Sequence, residues 1–446
     1  MASVRRFRTR PAGRTHSRRR PVLVLAATAT AAVLGVLAVP GPALAIDVRA
    51  GQWQLDALHI DRAQQLSRGS GVTVAVVDSG VDASHPDLSG QILSGTAIGG
   101  GKGGANDGRT DAAGHGTHMA GDIAAKGGGR EHALGIAPGA KILPVRVFST
   151  GTAEPSDIAA GIRWAVDHHA RIVNVSLSAN GTAPSGLVDA IGYAMRKGAV
   201  VVAGAGNLSN GQDGVGYPAN VPGVVAVSGT TRGGAFWSGS VGGPPVALAA
   251  PADGVVSTGS KAAGNRTGYT RDEGTSDAAA FVSGAAALVW SKYPSLSAPD
   301  VIERLIRTAD DAGPSGRDTQ YGFGRLDVVK ALTAKGIPHV GRNPLLAGGT
   351  GSGAATPDGG RTLVLKDRTG TYLTYGGIFC GVGVLVVVLV VVMVVVSGRR
   401  RRRRAQPPAG PPPGAFPDPG RPVPPYAPPP GYPGAPPPQH PPNPPH

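Results

Sequence analysis

The chain has 446 residues, a formal net charge of +15, 70 glycines, 41 prolines and a single cysteine. The excess positive charge sits at the two ends: residues 1–45 carry eight arginines and no acid, residues 399–446 carry seven arginines against Asp418, and residues 46–398 are nearly balanced, with 28 basic and 27 acidic side chains. A basic nucleic-acid-binding face is thereby excluded from the part able to fold, and the lone Cys380 excludes an internal disulfide.

Residues 1–45 have the layout of an export signal. A basic region runs from Arg5 to Arg20, an apolar run from Pro21 to Val39, and Ala43-Leu44-Ala45 is a small-residue cleavage pattern. Ser17-Arg18-Arg19 ahead of the apolar run leaves both the general and the twin-arginine export routes open. Residues 46–70, with Trp53, Leu55, Leu58 and Ile60, form a lead too short to be a folded pro-domain and suited to packing along the body that follows.

From residue 71 to residue 335, strand and helix patterns alternate. Val72–Val77 is an apolar, β-branched run that predicts a strand buried on both faces. Residues 89–114 are rich in Gly, Asn and Asp and predict a long surface loop. A helix is expected from Thr117 to Ala125, a strand over Lys141–Val147, a helix over Ser156–His169, and a strand over Arg171–Leu177. A helix over Leu187–Lys197 and a strand over Ala199–Ala203 come next, then short strands at Val224–Val227 and Val246–Ala249. Helices close the region at about 277–292, 299–309 and 325–333. Such alternation defines an α/β layered fold with a central parallel sheet, in which ligands bind beyond the carboxyl ends of the strands.

Residues 336–375 are Gly-, Pro- and Thr-rich and read as a linker. Gly376–Val396 is uncharged and dominated by valine, long enough for one transmembrane helix. The six arginines from Arg399 to Arg404 place the following side in the cytoplasm. The expected topology is a single-pass protein of the cell membrane, with residues 46–375 outside and the Arg-rich, then Pro-rich tail 397–446 inside. That tail is too poor in apolar residues to build a core.

Three short segments carry chemistry, each where a strand or helix meets a loop. Asp78 closes an apolar strand. His115 enters a helix within Gly114-His115-Gly116-Thr117-His118. Ser276 opens the alanine-rich helix that begins Gly274-Thr275-Ser276-Asp277. Read singly, Asp78 is a turn residue or a catalytic acid, and Ser276 is a helix N-cap or a nucleophile at a positive dipole end. His115 and His118 are spaced like metal ligands, but no third ligand follows at a matching spacing, so neither a metal nor another cofactor is expected.

The longer strings narrow these alternatives. Val76-Val77-Asp78-Ser79-Gly80-Val81 resembles the aspartate motif of the subtilisin-like serine peptidases, Gly114–Gly121 their histidine motif, and Gly274-Thr275-Ser276 with its alanines their serine motif. Ala205-Gly206-Asn207 is similar to the segment whose asparagine donates to the oxyanion. The order Asp, His, Ser is that of subtilisin. The resemblance implies a subtilisin-like three-layer fold and hydrolysis of peptide bonds. Ser276 would be the nucleophile, His115 the base, Asp78 its orienting acid and Asn207 the oxyanion donor. Ser176-Leu177-Ser178, with Ala205 and Gly206, would bind an extended polypeptide substrate as an added strand.

The arrangement of signal, lead, catalytic domain, linker and single span further resembles the mycosins, membrane-anchored subtilases linked to type VII secretion. That likeness implies components of such a system as partners. A rival expectation from another class is a structural subunit of a secretion assembly whose peptidase activity is dispensable. The string departs from the family at Asp277 and Ala280, where a bulky apolar residue and a proline are usual. A carboxylate at 277 would oppose a developing oxyanion if it faced the site.

Overall fold

The structure, a computed structural model, describes residues 47–102 and 105–346. The expected export signal, the membrane span, the tail and all but the first residues of the linker lie outside the described residues. Among the described residues no helix is long and apolar enough to cross a membrane.

Seven parallel strands form the central sheet: β1 (Thr73–Asp78), β2 (Thr96–Ala97), β3 (Lys141–Arg146), β4 (Ile172–Val175), β5 (Val200–Gly204), β6 (Val225–Thr230) and β7 (Val246–Pro251). Their spatial order is β2-β3-β1-β4-β5-β6-β7. The chain moves from β1 outward to β3 and then crosses back over β1 to β4. A crevice at the carboxyl ends of the strands results, of the kind in which open α/β sheets bind ligands.

The pleat sorts β1 between two cores. Val74 and Val76 enter one, Ala75 and Val77 the other, and all four are fully buried. A strand covered on both faces has no polar side to present, which is why the run Val72–Val77 lacks polar/apolar alternation.

One face carries helices α1 (Val48–Gly51), α2 (Trp53–Ala57), α3 (Ile60–Leu66), α4 (His115–Ala124), α7 (Thr275–Lys292), α8 (Ala298–Arg307) and α9 (Val328–Thr333). The opposite face carries α5 (Pro155–Asp167) and α6 (Ser185–Arg196). Helix α7 is buried continuously from Asp277 to Trp290. It is apolar all round because it lies between the sheet and other helices. Its alanines let it approach β4 through β7 closely. A Cβ at Gly284 would come within 2.6 Å of the Ile136 Cβ, so only glycine fits this crossing unaltered.

Several expectations change in detail. The loop 89–114 contains the two-residue strand β2, and its Asp111 is fully buried. Strands β6 and β7 run further than their apolar cores, because ladder pairing continues through Gly229 and Thr230 opposite Ala250 and Pro251. An antiparallel hairpin, β8 (Val255–Thr258) with β9 (Tyr269–Asp272), follows β7 where no strand was expected. The lead folds as α1–α3, anchored by buried glutamines: Gln52 Nε2 donates to the carbonyls of Leu134 and Val256. The start of the expected linker is clasped to the body, with Val340 N donating to Asp300 Oδ1 at 2.7 Å and Asn343 Nδ2 to the Gly223 carbonyl at 2.7 Å.

Candidate active site

Asp78 is the last residue of β1 and is fully buried. Its Oδ1 accepts the Ser79 N–H at 2.7 Å, and both of its oxygens face His115 Nδ1, at 2.8 and 2.9 Å. His115 is the first residue of α4. This helix reaches the end of β1 only because residue 116 is glycine: a Cβ there would meet the Gly80 carbonyl at 2.1 Å.

The N-terminus of α4 is tied down by Asp111. Its Oδ2 accepts from Thr117 N (2.8 Å) and Thr117 Oγ1 (2.6 Å), and its Oδ1 from Ala113 N and Gly114 N. Burial raises the pKa of this carboxyl in spite of those hydrogen bonds. Sequence reasoning missed Asp111. Its only local signal was an Asp a few residues ahead of a helix start, inside a stretch read as exposed loop.

The His115 side chain is 14% exposed. Burial works against its protonation. It is outweighed by the Asp78 charge, the Asp78 hydrogen bond and the more distant charges of Asp272 and Asp277, and the pKa is pushed up to about 9.

Ser276 is the second residue of α7. The N-cap is Gly274, so the capping alternative for Ser276 is overturned. Ser276 Oγ donates to the Ser176 carbonyl at 3.2 Å, and Ser176 Oγ donates back to the Ser276 carbonyl at 3.0 Å. Among the described contacts no hydrogen bond links Ser276 to His115. The two residues nevertheless open neighbouring helices, α4 and α7, which pack against each other.

Asn207 follows β5. Its Oδ1 accepts from Thr275 N (3.0 Å) and Thr275 Oγ1 (3.1 Å). With the oxygen so held, Nδ2 is the free end of the amide, and it lies 3.3 Å from where a Cβ on Gly274 would stand. Ser276 and Asn207 line a cleft together with Ser176, Leu177, Ser178, Gly204, Gly206, Thr275, Ala153, Asn210 and Gln212.

Gln212 was not anticipated from sequence. Its Oε1 accepts from Asn207 N at 2.7 Å and its Nε2 donates to Ser178 Oγ at 2.6 Å, joining the two walls of the cleft. Ala205, grouped with the cleft on sequence grounds, is fully buried away from it, and its N–H and carbonyl are taken by Val227 and Gly216. Leu177 is 2% exposed, with its side chain in the core under α5 and α6.

Asp277 does not face the cleft. It is 1% exposed, and its Oδ1 lies 3.0 Å from His118 Nε2, beneath the helix starts. The concern that it would oppose an oxyanion is met by helix geometry. Successive side chains on a helix point about 100° apart, so residue 277 looks inward when residue 276 looks at the cleft.

A parallel α/β sheet with a buried carboxylate on a histidine at one helix start, and a serine at the next, defines a hydrolase of the serine-peptidase class. Residues 69–324 match the model of the subtilase family, and the chain belongs to that family of serine endopeptidases.

Among its relatives, subtilisin DY of Bacillus licheniformis is 37% identical over 281 residues, covering 61% of this chain and 96% of that one. Fervidolysin of Fervidobacterium pennivorans is 36% identical over 311 residues, 62% of this chain, and the match spans only 43% of fervidolysin's length. Among solved structures, MycP1 from the ESX-1 type VII secretion system superposes with a TM-score of 0.55 at 30% identity, covering 64% of this chain and 86% of MycP1.

Proposed function

We propose that the chain is a membrane-tethered, extracytoplasmic serine endopeptidase of the mycosin type, working through Asp78, His115 and Ser276 in association with a type VII secretion system. The observation that carries the catalytic part is the Asp78–His115 pair at 2.8 Å, set beside a serine that opens α7 and shares its cleft with the Asn207 amide. The likeness to MycP1 supports the secretion link. The uncharged run 376–396 with its six following arginines supports the membrane tether.

On this reading an extended peptide lies along Ser176–Ser178, which continues β4 past its last paired residue, Val175. Rotation of the Ser276 side chain away from the Ser176 carbonyl brings Oγ to the His115 imidazole. Hydrogen bonds of this kind commonly tighten only once substrate is bound. Oγ attacks the scissile carbonyl carbon and His115 Nε2 takes its proton. Asp78 fixes the tautomer through Nδ1 and stabilises the imidazolium. The oxyanion is met by Asn207 Nδ2 and a backbone N–H at the start of α7. His115 then protonates the leaving amine, and water, activated the same way, releases the acyl group.

A fluorophosphonate probe tests the catalytic assignment. The wild-type chain is expected to label, and Ser276→Ala and His115→Ala to lose the label; equal labelling of Ser276→Ala refutes it. The topology is tested separately with a tag on the tail in intact cells, where digestion by an external protease refutes a cytoplasmic tail. Complementation of a deletion strain by Ser276→Ala distinguishes a role that needs peptidase activity from the rival structural one.

A further inference from the structure

Beneath the two helix starts lies a second cluster that the peptidase chemistry does not use. His118 and Asp122 stand one turn apart on the same face of α4, and Asp277 faces them from α7. The three are 2%, 1% and 1% exposed. His118 Nε2 lies 3.0 Å from Asp277 Oδ1 and 3.8 Å from Asp122 Oδ2, and one ligand atom from each residue falls within 4.8 Å of the others.

Among the described residues, four of these buried atoms have no hydrogen-bond partner: His118 Nε2, both oxygens of Asp122, and Asp277 Oδ1. The neighbouring Ser257 hydroxyl, which would answer a carboxylate, is donated to the His118 carbonyl at 3.0 Å. Buried polar atoms left unanswered cost about 1–3 kcal/mol each, more when charged. Two carboxylates converging on an imidazole nitrogen in a dry interior must be neutralised, either by a cation between them or by a shared proton.

We propose that His118, Asp122 and Asp277 bind one divalent transition-metal ion that ties α4 to α7. His118 Nδ1 lies 2.7 Å from Thr270 Oγ1; in the tautomer whose Nδ1 donates to that hydroxyl, Nε2 presents its lone pair to the cluster, the arrangement that orients metal-ligating histidines. The donor set, one imidazole nitrogen and two carboxylate groups, suits zinc or manganese rather than calcium, which takes oxygens only. Tetrahedral ligands at about 2.0–2.1 Å from zinc stand roughly 3.3 Å apart, and the observed separations of 3.0 and 3.8 Å bracket that value. Two carboxylates and a divalent ion are together neutral, which suits a site with no solvent exposure.

The ion touches no substrate. Its ligands include the residue after Ser276 and the residue three beyond His115, so it sets the position of one helix start against the other. This explains an acid at position 277, where the resemblance to other subtilases leads one to expect an apolar side chain. The site rests on the packing of α4 against α7 and not on the catalytic roles proposed above.

The test uses the full chain, produced with zinc available and dialysed without chelator, with zinc measured by elemental mass spectrometry. Close to one zinc per chain is expected for the wild type, and a loss of at least about tenfold in Asp277→Asn and Asp122→Asn. Cobalt offered in place of zinc should give visible absorption bands in the wild type that are absent from both variants. Ser276→Ala should keep its metal while losing the fluorophosphonate label, so failure of the catalytic reading and failure of the metal site are told apart. Circular dichroism identifies any variant that has not folded, and the wild-type measurement stands regardless. A folded wild-type chain with no stoichiometric zinc, manganese or cobalt overturns the proposal and leaves a pair of carboxyls sharing a proton. Equal metal content in wild type and folded variants overturns it as well, by locating the ion elsewhere.

Discussion

Thr275 gives both its backbone N–H and its hydroxyl to Asn207 Oδ1, at 3.0 and 3.1 Å, so the residue before Ser276 determines which end of the Asn207 amide is free. The free end is the donor, as stabilisation of an oxyanion requires. Asn207→Ala is therefore expected to lower kcat by about 10²–10³, or about 2.7–4 kcal/mol, with little change in KM; this magnitude belongs to a subtilisin and is carried over within the family. Thr275→Val, which keeps the shape and removes the hydroxyl, should cost less because the backbone donor remains. Steady-state kinetics on a peptide substrate decides, and a change confined to KM would show that Asn207 acts in ground-state binding.

The acid limb of the pH profile follows from the charges around His115. An imidazole acts as a base only when neutral, so kcat/KM should rise with pH through a single protonation whose midpoint lies toward about 9. Asp272 contributes to that upward shift and is exposed at the end of β9. Asp272→Asn should move the limb to lower pH by a few tenths of a unit, and less at high salt, where exposed charges are screened. The same shift bears on stability. A raised folded-state pKa means that the imidazolium's contribution is fully present below its ordinary 6.5 and is lost as pH rises through about 9. Thermal unfolding of Ser276→Ala, chosen to prevent self-digestion, should show a fall in Tm across that window. A Tm that is flat there contradicts the ion pair.

Gly284 makes a test of packing in which two effects oppose each other. Alanine in a helix interior is about 1 kcal/mol better than glycine. The added Cβ would stand 2.6 Å from the Ile136 Cβ, an atom fixed by its backbone, and overpacking of this kind costs about 1–3 kcal/mol. Gly284→Ala should accordingly lower the urea midpoint. A higher midpoint would mean that Ile136 yields more easily than its complete burial suggests.

Asp300 ties α8 to the segment that leaves the body. It closes a capping box with Ser297 and also accepts from Val340 N at 2.7 Å and from His339 Nδ1 at 3.1 Å. Burial disfavours its charge, but the hydrogen bonds from Val340, His339 and Ser297 outweigh it and depress the pKa to about 2. With the folded pKa depressed, its stabilisation is present above the ordinary carboxylate value and is lost as pH falls through about 2. Asp300→Ala should cost about 1–2 kcal/mol through its lost half of the capping box and the lost hydrogen bonds from residues 339 and 340, and should open residues 338–346 to limited proteolysis while the core stays resistant. Cleavage at an unchanged rate would show that Asn343 and Leu345 hold the segment without it.

Much of the fold is legible in local strings. The run Val72–Val77 is apolar without alternation because β1 is buried on both faces, and the helix after Gly274 is apolar all round because α7 is buried on every side. What was missed is mostly polar and buried. Gln52 carries no local signal of burial, and Asp111 falls in a stretch read as surface loop, because their partners, the Leu134 carbonyl and the N-terminus of α4, are brought to them by the fold. The hairpin β8–β9 escaped because Tyr269-Thr270-Arg271-Asp272 is polar and half exposed, with no core face to impose a period.

The candidate site divides along the same line. The strings around Asp78, His115 and Ser276 are local, because each needs a strand end or helix start of its own, and those are encoded by near neighbours. Local strings therefore carry the fold class and the identity of the candidate residues. How they are held comes from long-range contacts: which end of the Asn207 amide is free, that Gln212 joins the cleft walls, that Ala205 stands outside the cleft, and that Asp277 turns inward to His118. Each of these rests on a contact between segments distant in the chain or on which side of a helix meets the core, and no local pattern of apolar and polar residues carries that information.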